Sequence, residues 1–440
     1  MFLRKSAFII LVIFTFQYAL AIDMEELNPE FFGNFNDPYL VQYINETYEN
    51  NHSLKKANAV VEQYRHQVKY FFGQELPSLS MGTTYSILKT PIEYNNLPIK
   101  KDVFALPFVA NYEADFLFKN RDKTRGAKKS FEAMKYIHKA TYVSLLSDVA
   151  GLYANILQYD ALIQKQESLL TVSEELLGLN QKMFDQGVIT NTQLNMSKRA
   201  RETAQSTLET LKKEQEVLLA QFAVLIGRSP NEAIELQRGK LQDFEYQGIV
   251  PDSIESDVIF SRPDMMAAEA KLEKAKIDIR IARKNFLPIF NITGMWAFNT
   301  ATSGTFFSRG LSFGEVFARV MQTLFSGGRR KANLRIQKAK YEELFEDYQQ
   351  IGLDAAKEVN NALCAIKHDA CIENSAKVNM DYEAKNFEHA EKKYEQGSIS
   401  RLEYLNSQAA ALTQDMEFLK AKTQCLVSYI SLYKAVGGSL

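Results

Sequence analysis

The chain has 440 residues, 46% of them apolar and 24% charged, so it is not a disordered polymer. Its 52 basic and 53 acidic residues leave a formal charge of −1, which supplies no polybasic face and excludes a nucleic-acid binder that works by charge. Glycine (20) and proline (10) are both scarce, and no proline falls in 108–229 or 289–440. An internal proline removes a helix donor and clashes with the preceding turn. The two long proline-free blocks therefore predict uninterrupted helices, not a string of small globular domains.

In chain order, residues 1–21 come first. Arg4 and Lys5 precede an apolar run, Ala7–Phe16, and a small-residue site, Ala19-Leu20-Ala21. This pattern predicts a secretory signal peptide cleaved before Ile22. No later stretch holds the roughly 18–20 continuous apolar residues of a transmembrane helix. An exported chain of this kind can span a membrane only as strands. The cysteines Cys364, Cys371 and Cys425 are odd in number and give no full disulfide framework. None lies at the cleavage site, so N-terminal lipidation is not expected.

The mature chain is read as two copies of one unit. Met183-Phe184-Asp185-Gln186-Gly187-Val188-Ile189-Thr190 matches Lys393-Tyr394-Glu395-Gln396-Gly397-Ser398-Ile399-Ser400, 210 residues later. Asp148-Val149 matches Glu358-Val359 and Ile226-Gly227 matches Val436-Gly437 at the same offset, while Leu76-Pro77 matches Leu287-Pro288 at 211. The predicted layout is a first repeat over 22–227, a linker over 228–262 and a second repeat over 263–440.

Each repeat opens with a helix, about 40–73 and then 263–285. Period-2 runs follow. Leu79, Met81, Thr83, Tyr85 and Ile87 alternate with Ser80, Gly82, Thr84 and Ser86, and Phe104, Leu106, Phe108, Ala110 and Tyr112 form another period-2 run. In the second repeat Phe290, Ile292, Gly294, Trp296 and Phe298 form the third run, and a fourth is placed around 313–323. The strands thus occupy about 77–118 and 288–323. Long helices are predicted at about 120–184 and 329–394, returning helices at about 192–226 and 402–436. Leu169, Val172, Leu176, Leu179 and Met183 step by three and four, and Ala204, Leu208, Leu211, Leu218, Phe222 and Leu225 continue that seam, the signature of knobs-into-holes packing. A helix of about 65 residues spans roughly 98 Å, so the two shorter helices of a repeat, end to end, match one long helix. The apolar-aromatic alternation is that of outer-membrane barrel strands. Four strands cannot close a barrel; three chains supply twelve, enough to leave a lumen.

On these residues the sequence resembles the TolC-like outer membrane efflux proteins, particularly those serving tripartite drug-efflux pumps. The resemblance is carried by Arg262-Pro263-Asp264-Met265-Met266-Ala267-Ala268-Glu269-Ala270, Phe286-Leu287-Pro288, Phe325-Ser326-Gly327-Gly328-Arg329-Arg330 and Tyr394-Glu395-Gln396-Gly397-Ser398-Ile399-Ser400 with Leu402 and Leu405. It implies a mainly α chain that forms a homotrimer, with a twelve-strand β-barrel in outer membrane lipid and a periplasmic coiled-coil tunnel of twelve helical rods. It also implies a small equatorial region, here 228–262 with the chain ends. The implied partners are a periplasmic adaptor and an inner-membrane RND-type pump; no cofactor is implied. A lipidated N-terminal cysteine, common in that branch, is missing, which leaves the barrel as the only anchor.

Several residues are candidates for function. Gly187-Val188 and Gly397-Ser398 sit at the hairpin tips, where the resemblance implies docking of the adaptor. Glu403 and Asn406, with first-repeat counterparts Gln193 and Met196, are the expected periplasmic aperture, Glu403 giving a carboxylate ring in a trimer. Segments 89–102 and 300–312 are the expected extracellular loops. Cys364, His368 and Cys371 share one helical face at i, i+4 and i+7, yet no fourth ligand is evident and helix packing is the expected role. No HExxH pair, Gly-x-Ser-x-Gly elbow or P-loop is present, so no enzyme is expected. The function read from the chain is a passive exit duct for small molecules, with type I protein secretion and a pore-free periplasmic scaffold as alternatives.

Overall fold

A computed structural model describes residues 29–94, 97–231, 236–249, 251, 253–300 and 312–439; the expected signal peptide lies outside them. After a 3-10 turn (Pro29–Phe35) come α1 (Pro38–Asn50) and α2 (His52–Gly73), then β1 (Ser78–Met81), β2 (Thr84–Tyr94) and β3 (Leu97–Glu113). The first hairpin is α3 (Lys119–Asp185) and α4 (Asn191–Leu225). The second repeat holds α5 (Ser256–Phe260), α6 (Pro263–Lys284), β4 (Ile289–Thr300), β5 (Ser312–Met321), α7 (Arg329–Glu395) and α8 (Arg401–Ala435). At 67 residues each, α3 and α7 run roughly 100 Å.

The helix expected over 40–73 is instead two. Asn51 has ψ 124°, ends α1, and caps α2 by accepting from the Ser53 and Leu54 amides. Its Nδ2 donates to the Leu225 carbonyl at 2.6 Å, so α2 begins where α4 stops. The second repeat repeats the device with different chemistry. There Arg262 Nη1 donates to the Ala435 carbonyl at 2.5 Å, joining the end of α8 to the start of α6. Each joint satisfies a carbonyl orphaned at a helix end. Each also needs glycine: Gly227 (φ +84°) and Gly437 (φ +71°) sit so close to Asn50 and Pro263 that a Cβ would lie 2.8 Å and 2.7 Å from them.

The helices form one layer. α3 packs on α2 and α4 along one side and on α6 and α8 along the other, and α7 closes the far edge against α6 and α8. The Asp148–Lys434 and Lys165–Asp415 ion pairs mark the seam between α3 and α8, and Lys129–Glu273 marks that between α3 and α6.

The sheet is an antiparallel meander in the order β1-β3-β4-β5, with β2 also on β3. The first and last segments of each register agree: Ser78 faces Asn111 in β1 and Thr84 faces Ala105 in β2, so both lie on one unshifted ladder. The ladder is interrupted opposite Pro107. Gly82 N–H still donates to the Pro107 carbonyl (3.0 Å), but proline has no N–H to return the bond. Four strand positions therefore cross the sheet, as the alternation predicted. The expected loop at 89–102 is corrected: β2 and β3 stay paired through Thr90–Ile99 and again at Tyr94–Leu97, leaving Asn95 and Asn96 between them. Most of the expected loop at 300–312 lies outside the described residues; Thr300 ends β4 and Ser312 begins β5.

The main core sits at the waist, between sheet and hairpin tips. Phe32, Phe35, Ile44, Leu146, Tyr153, Phe222, Phe244 and Tyr433 are all 3% exposed or less there. The Tyr153 hydroxyl donates to Asp37 Oδ2 (2.9 Å) and accepts from the Gly239 amide (3.0 Å). Burial drives its pKa far up, so it stays neutral. The Arg228–Glu46 and Arg238–Asp160 pairs bind the segment after α4 to α1 and α3.

Candidate functional site

Two ends of the molecule carry its working surfaces. At the far end, both hairpins turn by the same backbone geometry. Gly187 and Gly397 each adopt φ +72°. Gly187 N–H donates to the Phe184 carbonyl and Val188 N–H to Met183; Gly397 and Ser398 repeat this with Tyr394 and Lys393. This pairing ends a helix in a left-handed residue, which glycine adopts without steric cost. Val188 is 63% exposed, and Gly187, Gly397 and Ser398 are exposed with it.

The return helices then start with matching capping boxes. Thr190 Oγ1 accepts from the Gln193 amide (3.3 Å), and Gln193 Oε1 accepts from the Thr190 amide (2.9 Å). Ser400 Oγ accepts from the Glu403 amide (3.2 Å), and Glu403 Oε2 accepts from the Ser400 amide (3.0 Å). Gln193 and Glu403 thus have a local task besides any at an aperture. The signal was legible, since Ser/Thr-x-x-Glu/Gln ahead of an apolar run marks a helix start. Met196 and Asn406, one turn on, are exposed, while Leu194 and Leu405 turn inward at 2% and 1% exposure.

Arg401 was not singled out from the sequence. Its guanidinium lies 4.9 Å over the Tyr404 ring and 5.4 Å over Tyr394, and donates to Glu175 of α3 at 2.6 Å. That bond ties the second tip to the first hairpin. A lone Arg beside a turn carries no pattern in one dimension; its partner is 226 residues away.

At the opposite end, strand parity separates two faces. Leu79, Met81, Tyr85, Phe108, Tyr112, Ile292, Trp296, Val316 and Val320 stand on one, with Leu79 76% and Trp296 51% exposed. The other face is mixed: Val109 and Met295 stand on it, and Asn111, Glu113, Asn291, Thr293, Phe317 and Arg319 there line, with Lys123, a cleft of about 580 Å3. An apolar, aromatic face on one side and a face carrying Asn111, Glu113, Asn291, Thr293 and Arg319 on the other fits lipid outside and water inside. Among the described residues no helix is long and apolar enough to cross a membrane, and no group of three or more His, Cys, Asp or Glu side chains is placed to hold a metal. Cys364 and Cys371 are exposed on α7; Cys425 is buried on α8, and burial pushes its thiol up to about 12.

A single layer of helices about 100 Å long, ended by an open amphipathic sheet, defines a class of outer-membrane export ducts. The chain belongs to the outer membrane efflux protein family, whose match covers residues 43–228 and 256–438. It is 26% identical over 417 residues to the probable efflux pump outer membrane protein TtgC of Pseudomonas putida, covering 92% of this chain and 84% of that one. The cation efflux system protein CusC of Escherichia coli is 25% identical over 424 residues, covering 92% and 87%. The fold matches the crystal structure of the Campylobacter jejuni CmeC outer membrane channel with a TM-score of 0.86 at 22% identity, over 94% of this chain and 89% of that one. The protein is an outer-membrane efflux duct, with its barrel strands in the membrane and its helices in the periplasm.

Proposed function

We propose that three copies of the chain close into one duct that passes small molecules outward, fed by an inner-membrane RND-type pump through a periplasmic adaptor. The observation that carries this reading is a pair of open edges. Among the described strands, β5 pairs only with β4, and β1 and β2 pair only with β3. The helical layer likewise ends in α7 on one side and α2 with α4 on the other. Unpaired strand edges are costly in a membrane, and closure into a barrel removes them.

The exposed face of α7 supports the same closure. Val359, Ala362 and Ile366 pack with α8 and α5, and Ala355 is buried on the same side of the helix. Leu353, Cys364, His368, Cys371, Val378 and Tyr382 fall on the opposite side, with Cys364, Cys371 and Val378 seven apart. The cysteines then serve as small seam residues against a neighbouring chain, not as metal ligands. Light scattering in mild detergent should return three chain masses; a monomer overturns the assembly.

Glu403, Asn406, Gln193 and Met196 form the aperture in this reading, and Gly187-Val188 with Gly397-Ser398 dock the adaptor. The capping box supplies a cleaner test of the aperture than alanine does. Glu403→Gln keeps an acceptor for the Ser400 amide while removing the charge. Cation preference in planar bilayers should fall in Glu403→Gln as far as in Glu403→Ala. A fall in the alanine variant alone would assign Glu403 to the cap.

A further inference from the structure

Where the sheet meets the helices, positive charge gathers beside exposed aromatic rings. Phe290 belongs to the apolar strand face, and Phe116 stands edge-on to it at 5.4 Å, carrying that face past the end of β3. Phe116 is 68% and Phe118 50% exposed. Arg121 lies 5.1 Å over the Phe118 ring. Arg121, Arg125 and Lys128, at i, i+4 and i+7 on the first turns of α3, share one exposed face.

From α6, Arg280 and Lys284 reach the same surface around one buried carboxylate. Asp122 is 1% exposed and meets Lys284 at 2.7 Å, Arg125 at 3.3 Å and Arg280 at 3.7 Å. Two further carboxylates lie here: Glu75, which accepts from Thr124 Oγ1 at 2.5 Å and stands 4.0 Å from Arg121, and Asp115, whose oxygens accept from the Lys119 and Arg121 amides at 2.6 Å and 2.9 Å. Glu132 and Glu273, farther from the sheet, are both held by Lys129. Five cations therefore face three carboxylates, of which Asp115 is held by backbone amides. Asp122 holds the α3 and α6 cations together without neutralising them. Lys123, in contrast, lines the cleft on the polar side. Because α3 and α6 are inner members of the layer, a neighbour joined along its edges leaves this patch open.

We propose that this patch seats the phosphate headgroup of an anionic phospholipid in the periplasmic leaflet, with Arg121, Arg125 and Arg280 binding the phosphate and Phe116 and Phe118 lying along the acyl boundary. This rests on the outer-membrane reading above. Guanidinium forks match phosphate oxygens, and aromatic rings favour the level of the headgroups. A basic side chain near an anionic membrane surface is worth roughly fivefold in binding.

The test uses the full-length protein equilibrated in mixed micelles of equal phosphatidylglycerol and phosphatidylcholine, with retained lipid counted by mass spectrometry. The wild type should be enriched in phosphatidylglycerol. Arg121→Gln, whose side chain makes no buried contact, should reduce the enrichment roughly fivefold. Arg121→Gln/Arg125→Gln/Arg280→Gln should abolish it, and Lys123→Gln should leave it intact. Equal retention of the two lipids by the wild type overturns the proposal, as does unchanged enrichment in the triple variant. Displacement by an equal concentration of inorganic phosphate would reveal a free-anion site and overturn it too. Conductance in phosphatidylcholine bilayers is read separately: its absence in the wild type sinks the duct, while lipid retention still decides the seat.

Discussion

α3 and α7 have the same length and the same place in their repeats, but opposite surroundings. α3 buries a run through Leu146, Val149, Ala150, Tyr153, Ala154, Ile156 and Leu157, whereas α7 buries only Ala355, Val359, Ala362 and Ile366 among the described residues. One helix lies between two neighbours; the other has neighbours on one side. Helical periodicity is set by a helix's own hydrogen bonding and apolar stripe. Whether that stripe is covered by the same chain or by another copy is a matter of position in the layer. The two repeats thus occupy different places in the layer, the second repeat's long helix at one edge and the first repeat's long helix inside it.

The contrast is broken most severely at the waist. Phe222 is 1% exposed against Tyr153 and Tyr43, and Phe222→Ala should cost about 3–5 kcal/mol, read from the denaturation midpoint. Leu353→Asp on α7 should act otherwise. At 69% exposure it loses little inside the chain, so helicity by circular dichroism should be kept while the oligomer dissociates. A stable trimer of Leu353→Asp would show that α7 is not a seam.

Thiol labelling sharpens the comparison with less perturbation. Cys364 and Cys371 should react with a maleimide when the oligomer is dissociated in detergent and be protected when it is intact. Cys425, with its thiol pushed up to about 12 by burial, should stay unreactive at pH 7 in both states. The smallest effect is expected where the repeats agree best. Gly187→Ala and Gly397→Ala, both forced to φ +72°, should each cost about 1 kcal/mol, and a large difference between them would mean that the tips are not equivalent.

Much of the fold was legible one repeat at a time. The strand faces followed from period-2 alternation because side chains on a strand project to alternate sides whatever the sheet order. The break at Asn51 was not. Its signal is a capping residue inside a continuous apolar pattern, and the reason for the break, the Leu225 carbonyl, is 174 residues distant. The reach of β2 and β3 past Lys89 and Asp102 was also hidden, since Lys100, Lys101 and Asp102 read as loop until the ladder shows them paired. At the tips, the glycine turns were visible as a repeated motif. The capping role of Glu403 was not drawn from the sequence, although Ser400 three positions ahead carries its signal, and its aperture role depends on a threefold axis that no single chain contains.

By itself the sequence determined the periodic elements, the duplication and the two faces of the sheet. Each of these is enforced by local backbone geometry and by the separation of apolar from polar side chains along one segment. The tertiary structure alone decided which helix ends abut, which of two equal long helices is enclosed, and which cations gather around Asp122. Apart from Arg125 beside Asp122, such contacts join residues more than a hundred positions apart, and their energy depends on distance in space, of which the order of residues holds no record.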